Sequence, residues 1–431
     1  MHIFISGIGG TGVGPLAQIA KAAGYDVSGS DKQNSGYTDY LKKHGITNIH
    51  IGQTSEAIAE LHSKKPIDWI VFSSAVEKEN PNHPEILFAR AQNIKFSKRD
   101  EFLNQILTDT KQKMIAIAGT HGKTTTTAMT VWLFKQLEVP ISYILPAKTS
   151  YGEMGEFNKE SEYFVYECDE FDRNFLAFNP HLSLITGVSW DHHEIFPTRE
   201  DYQEAFKEFI SQSSWTFIWQ EDHEYLGLSD STHLSVLDAA EPDQEGVKIL
   251  GKYNRLDAWL AIQAVHEVTN APIVKLTELV NKFPGLQRRM EEIYPNLFSD
   301  YAHTPEKVRG CMSAALELAQ EKGQDVVVVF EPLHNRRQHF MIDEYKDCFA
   351  GAKKLYWLPS YLAREDPDQR IIKPSEMIEH LSDPTIAVPM DRDEKLKVKV
   401  QEHLKAGDMV IGMAGGGGNS LDEWLRKKFA S

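Results

Sequence analysis

Short apolar runs recur along this chain, each closed by glycine or a small polar residue and followed by a stretch whose apolar positions return every third or fourth residue. The runs at His2–Ser6, Trp69–Ser73, Met114–Ala118, Leu182–Val188, Asp325–Phe330 and Met409–Met413 are almost uninterrupted, the pattern of strands covered on both faces. Tyr163–Tyr166 alternates instead. The stretches Val13–Gly24, His83–Gln92, Lys98–Asp109, Thr198–Ser211, Leu256–Val268 and Glu306–Glu321 read as helices. Strand, turn and helix repeating in this order predict an α/β chain of parallel sheets. Three domains are expected: a Rossmann-like unit over 1–107, a central unit with a mostly parallel sheet over 108–284, and a second Rossmann-like unit over 285–431.

Composition narrows the function classes. With 431 residues and 41% hydrophobic content the chain can fill several cores. A formal net charge of -16 without any Lys/Arg block argues against nucleic acid or an anionic membrane as partner. Cys168, Cys311 and Cys348 are far apart and show neither disulfide-framework nor zinc-ligand spacing, which suits a reducing cytoplasm. No run approaches the ~20 apolar residues of a membrane span. A monomer and a homodimer are both compatible with these features.

Two glycine loops carry the candidate chemistry. The first, Gly7-Ile-Gly9-Gly10-Thr11-Gly12, follows a strand and opens a helix, the arrangement that seats a diphosphate; Ser30 and Asp31 stand at the tip of the second strand, where a ribose is read. Ser73-Ser74 ends another strand and is either a ligand contact or a solvated loop. The second loop, Gly119-Thr120-His121-Gly122-Lys123-Thr124, joins the strand at Met114–Ala118 to a helix from Thr125. It is tighter than GxxxxGK[ST], yet its glycines admit an anion close to the backbone. Lys123, expected in a solvated loop without a packing role, would neutralise β/γ-phosphate charge, and the hydroxyl of Thr124 or Thr125 would face Mg²⁺.

Beside that loop, Glu167, Asp169, Glu170 and Asp172 cluster at a strand end, as hard-oxygen ligands for Mg²⁺ or as a solvated turn. Asp191-His192-His193 closes the next strand, where an imidazole would complete a second cation site. Asn254 is either a helix cap or a base contact, and Arg288-Arg289 in a Gly/Pro turn are either surface residues or a guanidinium for a transferring phosphoryl group. Asp300-Tyr-Ala-His303 and the loop holding Arg336 and Arg337 follow in the third region.

Taken in this order, GIGGTGVGPLA, SSAV with NP after it, AGTHGKTTTT, YECDEFDRNFL, Asp191-His192, Tyr253-Asn254, Gly285 to Arg289 and DYAHTP resemble the motifs of the Mur ligase family, from end to end of the chain. The resemblance is nearest to its alanine-adding branch. It implies an ATP-dependent amide ligase of peptidoglycan synthesis with ATP, UDP-N-acetylmuramate and L-alanine as substrates and Mg²⁺ (or Mn²⁺) as cofactor. It further implies ATP contacts from Gly119 to Thr125, Asn254, Arg288 and Asp300; sugar-nucleotide contacts from Gly9 to Gly12, Ser30, Asp31, Ser73 and Ser74; metal ligation by Thr124, Glu167 and His192; and an amino-acid site with Arg336, Arg337 and His303. Lys123, Glu167, His192, Arg288 and His303 are the implied catalytic set. Phe330-Glu-Pro and the Asp-His-x-x-Ile-Phe pattern lean instead toward the murein-tripeptide recycling ligase of the same family. Lys207 falls fifteen residues after His192, an offset that matches a carbamylated, metal-bridging lysine in the D-glutamate-adding branch; the ordinary alternative is a solvent-facing helical lysine. An NAD-dependent dehydrogenase and a catalytically silent nucleotide-binding partner are the rival classes. The first leaves the acid cluster and the Gly-Lys-Thr loop unexplained, and the second conflicts with the presence of Lys123, Glu167 and His192.

Overall fold

The computed structural model describes the chain apart from residues 11, 73–75, 77–79, 193–194, 241–245, 363–364, 366–367, 417 and 431. Thr11, Ser73 and Ser74, expected at the sugar nucleotide, lie outside the described residues, as does His193. The rest builds three α/β layers, and by its internal packing the chain divides into two compact units. The first unit holds Met1–Val247 and Leu256–Phe283, and the second holds Lys248–Arg255 and Pro284–Ser431.

Two sheets share the first unit. The N-terminal one comprises β1 (His2–Ser6), β2 (Asp26–Asp31), β3 (Ile49–Ile51), β4 (Trp69–Phe72) and β5 (Lys95–Lys98), in the order β3-β2-β1-β4-β5 with every pairing parallel. The central one comprises β6 (Lys113–Ala118), β7 (Ser142–Ile144), β8 (Gly155–Glu156), β9 (Tyr163–Glu167), β10 (Leu182–Ile185), β11 (Thr216–Trp219) and β12 (Leu234–Leu237). Its order is β12-β11-β10-β6-β9-β7-β8, parallel except for the β7–β8 hairpin. One apolar cluster runs from Ile3, Ile5 and Leu16 through Phe102 and Ile106 to Met114, Phe164 and Phe175. The helix Arg99–Thr110 supplies the middle of that cluster, which is why the two sheets pack as one unit.

The second unit has its own sheet: β13 (Glu291–Tyr294), β14 (Leu297–Asp300), β15 (Val326–Glu331), β16 (Lys354–Trp357), β17 (Ala387–Pro389) and β18 (Met409–Ala414), in the order β13-β14-β18-β15-β16-β17. Only β13–β14 is antiparallel. Apolar side chains fill both faces, with Phe330, Trp357 and Met413 on one and Val327, Val329 and Leu425 on the other.

Several elements depart from the periodicity reading. The helix Ser55–Lys64, the β7–β8 hairpin, β12 and the β13–β14 pair were not anticipated, and each is short or partly exposed. Asn254 does not precede its helix: it lies inside Lys252–Thr269, with Nδ2 donating to the Leu250 carbonyl at 2.8 Å. Its capping role is therefore corrected to a bond onto the segment before the helix. Among the described residues no helix is long and apolar enough to cross a membrane, and all three cysteines are buried thiols.

Candidate active site

β6 lies at the centre of its sheet, between β9 and β10, so the loops after these three strands meet at one carboxyl edge. The loop after β6 turns through Gly119 (φ +143°) and Gly122 (φ +77°). A Cβ on Gly119 would lie 2.4 Å from Thr186 Oγ1, and one on Gly122 would lie 2.4 Å from Asp257 Oδ1, so both conformation and space require glycine. Thr120 ties the loop to the next strand: its amide donates to the Gly187 carbonyl at 2.7 Å and its hydroxyl bonds the Ser189 carbonyl and the Tyr202 hydroxyl, each at 2.8 Å. His121 Nε2 lies 3.2 Å from Ser189 Oγ. Gly122 caps the helix Lys123–Gln136 without a side-chain bond, so the first-turn amides of Lys123, Thr124 and Thr125 stay available to an anion.

Lys123 Nζ donates to the Gly119 carbonyl and, at 2.8 Å, to Glu170 Oε2. Burial disfavours its charge, but Glu170, Asp169 and Glu167 outweigh that and hold its pKa above the ordinary lysine value. Glu170 is the converse: burial would raise its pKa, yet Lys123 and His192 bring it down to about 2. His192, with φ +55°, is aimed at this carboxylate, its Nε2 3.6 Å from Glu170 Oε1 and its amide on Asp191 Oδ1 at 2.7 Å.

The ligand atoms of Asp169, Glu170 and His192 all lie within 4.8 Å of one another. Carboxylate oxygens with one imidazole suit Mg²⁺ or Mn²⁺, so the donor set fits the expected cation. The sequence reading paired His192 with Glu167, whereas the convergent carboxylates are Asp169 and Glu170. Glu167 ends β9, close enough for its charge to act on Lys123. Lys207 sits on the helix Arg199–Gln212 with its side chain 37% exposed and Nζ 3.9 Å from Glu204 Oε2, the geometry of the ordinary solvent-facing alternative. The same helix supplies a contact that the sequence reading missed: the buried Tyr202, whose hydroxyl joins Thr120 to Glu170.

The carboxyl edge of the N-terminal sheet carries the other glycine loop. Gly7 and Ile8 amides donate to the Ser30 carbonyl at 2.8 and 2.9 Å, and Gly9 donates to Asp31 Oδ2 at 2.8 Å, so Asp31 shapes the loop. Ser30 is buried, and beneath it Ser6 Oγ donates to Glu85 Oε2 at 2.5 Å. Burial pushes the Glu85 carboxyl up, against the hydroxyls of Ser30 and Ser6. At the end of β5, Lys98 pairs with Asp172 at 2.5 Å and Arg99 crosses Gly12, where a Cβ would lie 2.2 Å from Nη1. A basic pair closing a short strand was the available signal for this contact; the sequence reading took Lys98 onward only as a bridging helix.

The second unit gathers its expected residues around Tyr301. The guanidinium carbons of Arg288 and Arg289 lie 4.8 and 5.4 Å from the centre of that ring, and Arg288 Nη2 donates to the Ala414 carbonyl at 2.6 Å. Asp300 accepts from the Met290 and Ala302 amides, each at 2.8 Å; burial raises its pKa even so. His303 is buried with Nδ1 2.6 Å from the Tyr301 carbonyl, and a Cβ on Gly415 would lie 2.5 Å from its ring. Burial holds His303 neutral, helped by the charges of Lys307, Arg337 and Arg289. Arg336 is the second residue of the short helix Asn335–Met341, and its amide donates to Glu365 Oε2 at 3.0 Å. A cavity of about 450 Å³ lies at the ends of β15 and β16, lined by polar groups including Glu331, Tyr361, Asp391, Arg392 and Asn419.

Three family models match in order: Mur ligase family, catalytic domain, over residues 2–111; Mur ligase middle domain over 117–249; and Mur ligase, glutamate ligase domain, over 288–416. The UDP-N-acetylmuramate--L-alanine ligase of Campylobacter curvus is 30% identical over 84% of this chain and 85% of its own, and that of Fusobacterium nucleatum is 28% identical over 90% and 88%. In fold, the chain is similar to a UDP-N-acetylmuramate-alanine ligase from Thermotoga maritima (TM-score 0.75, 22% identity, 99% and 98% covered) and to a murein peptide ligase from Psychrobacter arcticus (TM-score 0.64, 20%, 99% and 98%). With an ordered match across all three layers and a relative at 30% identity along most of its length, the chain belongs to the Mur ligase family.

Proposed function

We propose that this chain is a cytoplasmic, ATP-dependent ligase of peptidoglycan synthesis that joins L-alanine to the carboxylate of UDP-N-acetylmuramate. The observation that carries the reading is Lys123 on its glycine turn, 2.8 Å from a carboxylate that converges with Asp169 and His192, in the same unit as a second glycine loop. One loop suits the triphosphate and the other a sugar diphosphate. The substrate carboxylate attacks the γ-phosphorus and ADP leaves; the amine then attacks the acyl carbon, loses its proton, and phosphate departs. The protein supplies no nucleophile. Its work is to hold two anions together and keep water from an acyl phosphate.

In this reading Lys123 and the first-turn amides take the nucleotide phosphates, while Thr124, Asp169, Glu170 and His192, with Glu167 beside them, hold the cation. A bound Mg²⁺ would supply charge screening between the two anions. In the second unit Arg288, Asp300 and Asn254 are the proposed nucleotide contacts. His303, neutral and engaged at Nδ1, keeps Nε2 as an acceptor for the amine proton. Arg336 and Arg337 take the amino-acid carboxylate.

A second acceptor is favoured by one feature. The polar cavity of about 450 Å³ with Arg392, Asp391 and Tyr361 on its wall exceeds what alanine fills, and a murein tripeptide would use it. The deciding experiment measures phosphate release with ATP, Mg²⁺ and UDP-N-acetylmuramate against L-alanine, L-serine, glycine and the tripeptide. L-Alanine is expected to give the highest kcat/KM; preference for the tripeptide would move the assignment to the recycling ligase, and release with no amine would overturn both.

A further inference from the structure

The two glycine loops of the first unit are connected by a line of charged side chains. Arg99 Nη1 packs on Gly12, so that a Cβ there would lie 2.2 Å away. Arg99 Nη2 stands 3.8 Å from Asp169 Oδ2. The Asp169 carboxylate converges with Glu170 and His192 within 4.8 Å, and Glu170 contacts Lys123 at 2.8 Å. Arg99 therefore lies on the path between the diphosphate loop and the phosphate-transfer loop.

Its surroundings fit a ligand contact better than a tether. The tether already exists, because Lys98 binds Asp172 at 2.5 Å and fixes the acid loop to the end of β5. Arg99 Nε stands 3.5 Å from Oδ2 of the buried Asp100, an ion-pair separation without a hydrogen bond, and the two Nη groups form a fork beyond it. On the other side the contact with Asp169 is longer than a hydrogen bond, and that carboxylate is 37% exposed. A planar guanidinium with a buried carboxylate beside Nε and a loosely held outer edge has the geometry to grip a carboxylate bidentately.

We propose that Arg99 grips the carboxylate of the sugar nucleotide between the two loops and sets it in line for phosphoryl transfer, an inference that rests on the ligase reading above. The reacting oxygen must come within roughly 3–3.5 Å of a phosphorus that carries several negative charges. A guanidinium beside the glycine loop offsets that repulsion on the sugar side, as Lys123 does on the nucleotide side.

The test is calorimetric binding to the full chain of UDP-N-acetylmuramate and of UDP-N-acetylglucosamine, which has the same diphosphate but no such carboxylate. The native chain is expected to prefer the first. Arg99→Gln is expected to lose about 10- to 100-fold in affinity for UDP-N-acetylmuramate while keeping its affinity for UDP-N-acetylglucosamine, the scale of a hydrogen-bonded charge contact. Arg99→Lys, which retains the charge and its pairing, loses part of the preference, and Lys98→Gln, which breaks only the tether, keeps the native ratio. Equal loss for both nucleotides in Arg99→Gln, or an unchanged ratio in both Arg99 variants, would overturn the inference. A native chain with no preference for the carboxylate-bearing nucleotide would overturn the ligase reading and the inference with it. Should Arg99→Gln fail to fold, the ratio in Arg99→Lys decides alone.

Discussion

Lys123 leaves only 13% of its side chain to solvent, and its partner Glu170 leaves 1%. The expectation of a lysine in a solvated loop with no part in packing is corrected by that burial. Removing one member of a buried ion pair strands the other, so Lys123→Ala is expected to destabilise the chain by about 3 kcal/mol as well as to abolish ATP turnover. In the double variant with Glu170→Gln the stranded charge is gone; denaturant titration should then show most of the stability restored while turnover stays absent. A single variant as stable as the native chain would contradict the pairing. Lys123 and His192 were legible in the sequence because strand, glycine turn and cation follow one another locally. Glu170 was read as a member of the acid cluster but not as the partner of Lys123, and Arg99 was not legible as a contact, since it meets Asp169 across seventy residues (169 − 99) and spacing carries no information about that approach.

At the scale of elements, long buried strands such as β6, β15 and β18 were readable because covering both faces imposes an almost continuous apolar run. β7, β8 and β13 are short, and β13 alternates between half-buried and exposed, so they leave no such run. The turn from β14 into the helix Pro305–Lys322 carries a pH response. His303 there has its pKa held well below the ordinary 6.5. The unfolded chain therefore binds a proton near pH 6.5 that the folded chain refuses, so stability rises with pH through that region, is complete above it, and declines as pH falls below it. His303→Gln should flatten this dependence relative to the native chain in denaturant midpoints collected from pH 5 to pH 8 (about the span of histidine titration). An equally steep decline in the variant would assign the response to other groups.

Across the whole molecule, the α/β class and the three layers followed from alternating strands and helices, because each parallel crossover needs a helix between its strands. The sharing of one apolar cluster by the first two sheets was hidden in the sequence, because the helix Arg99–Thr110 reads as polar while burying Phe102, Leu103, Ile106 and Leu107. That shared core places the two glycine loops in one unit, as the proposed reaction between two anions requires. The central claim is that a substrate carboxylate takes the γ-phosphoryl group of ATP. It is tested most directly by supplying UDP-N-acetylmuramate labelled with oxygen-18 in its carboxylate, together with ATP, Mg²⁺ and L-alanine, and analysing the released phosphate by mass. Transfer of one labelled oxygen into phosphate is the predicted result; phosphate that carries no label while amide accumulates would contradict it.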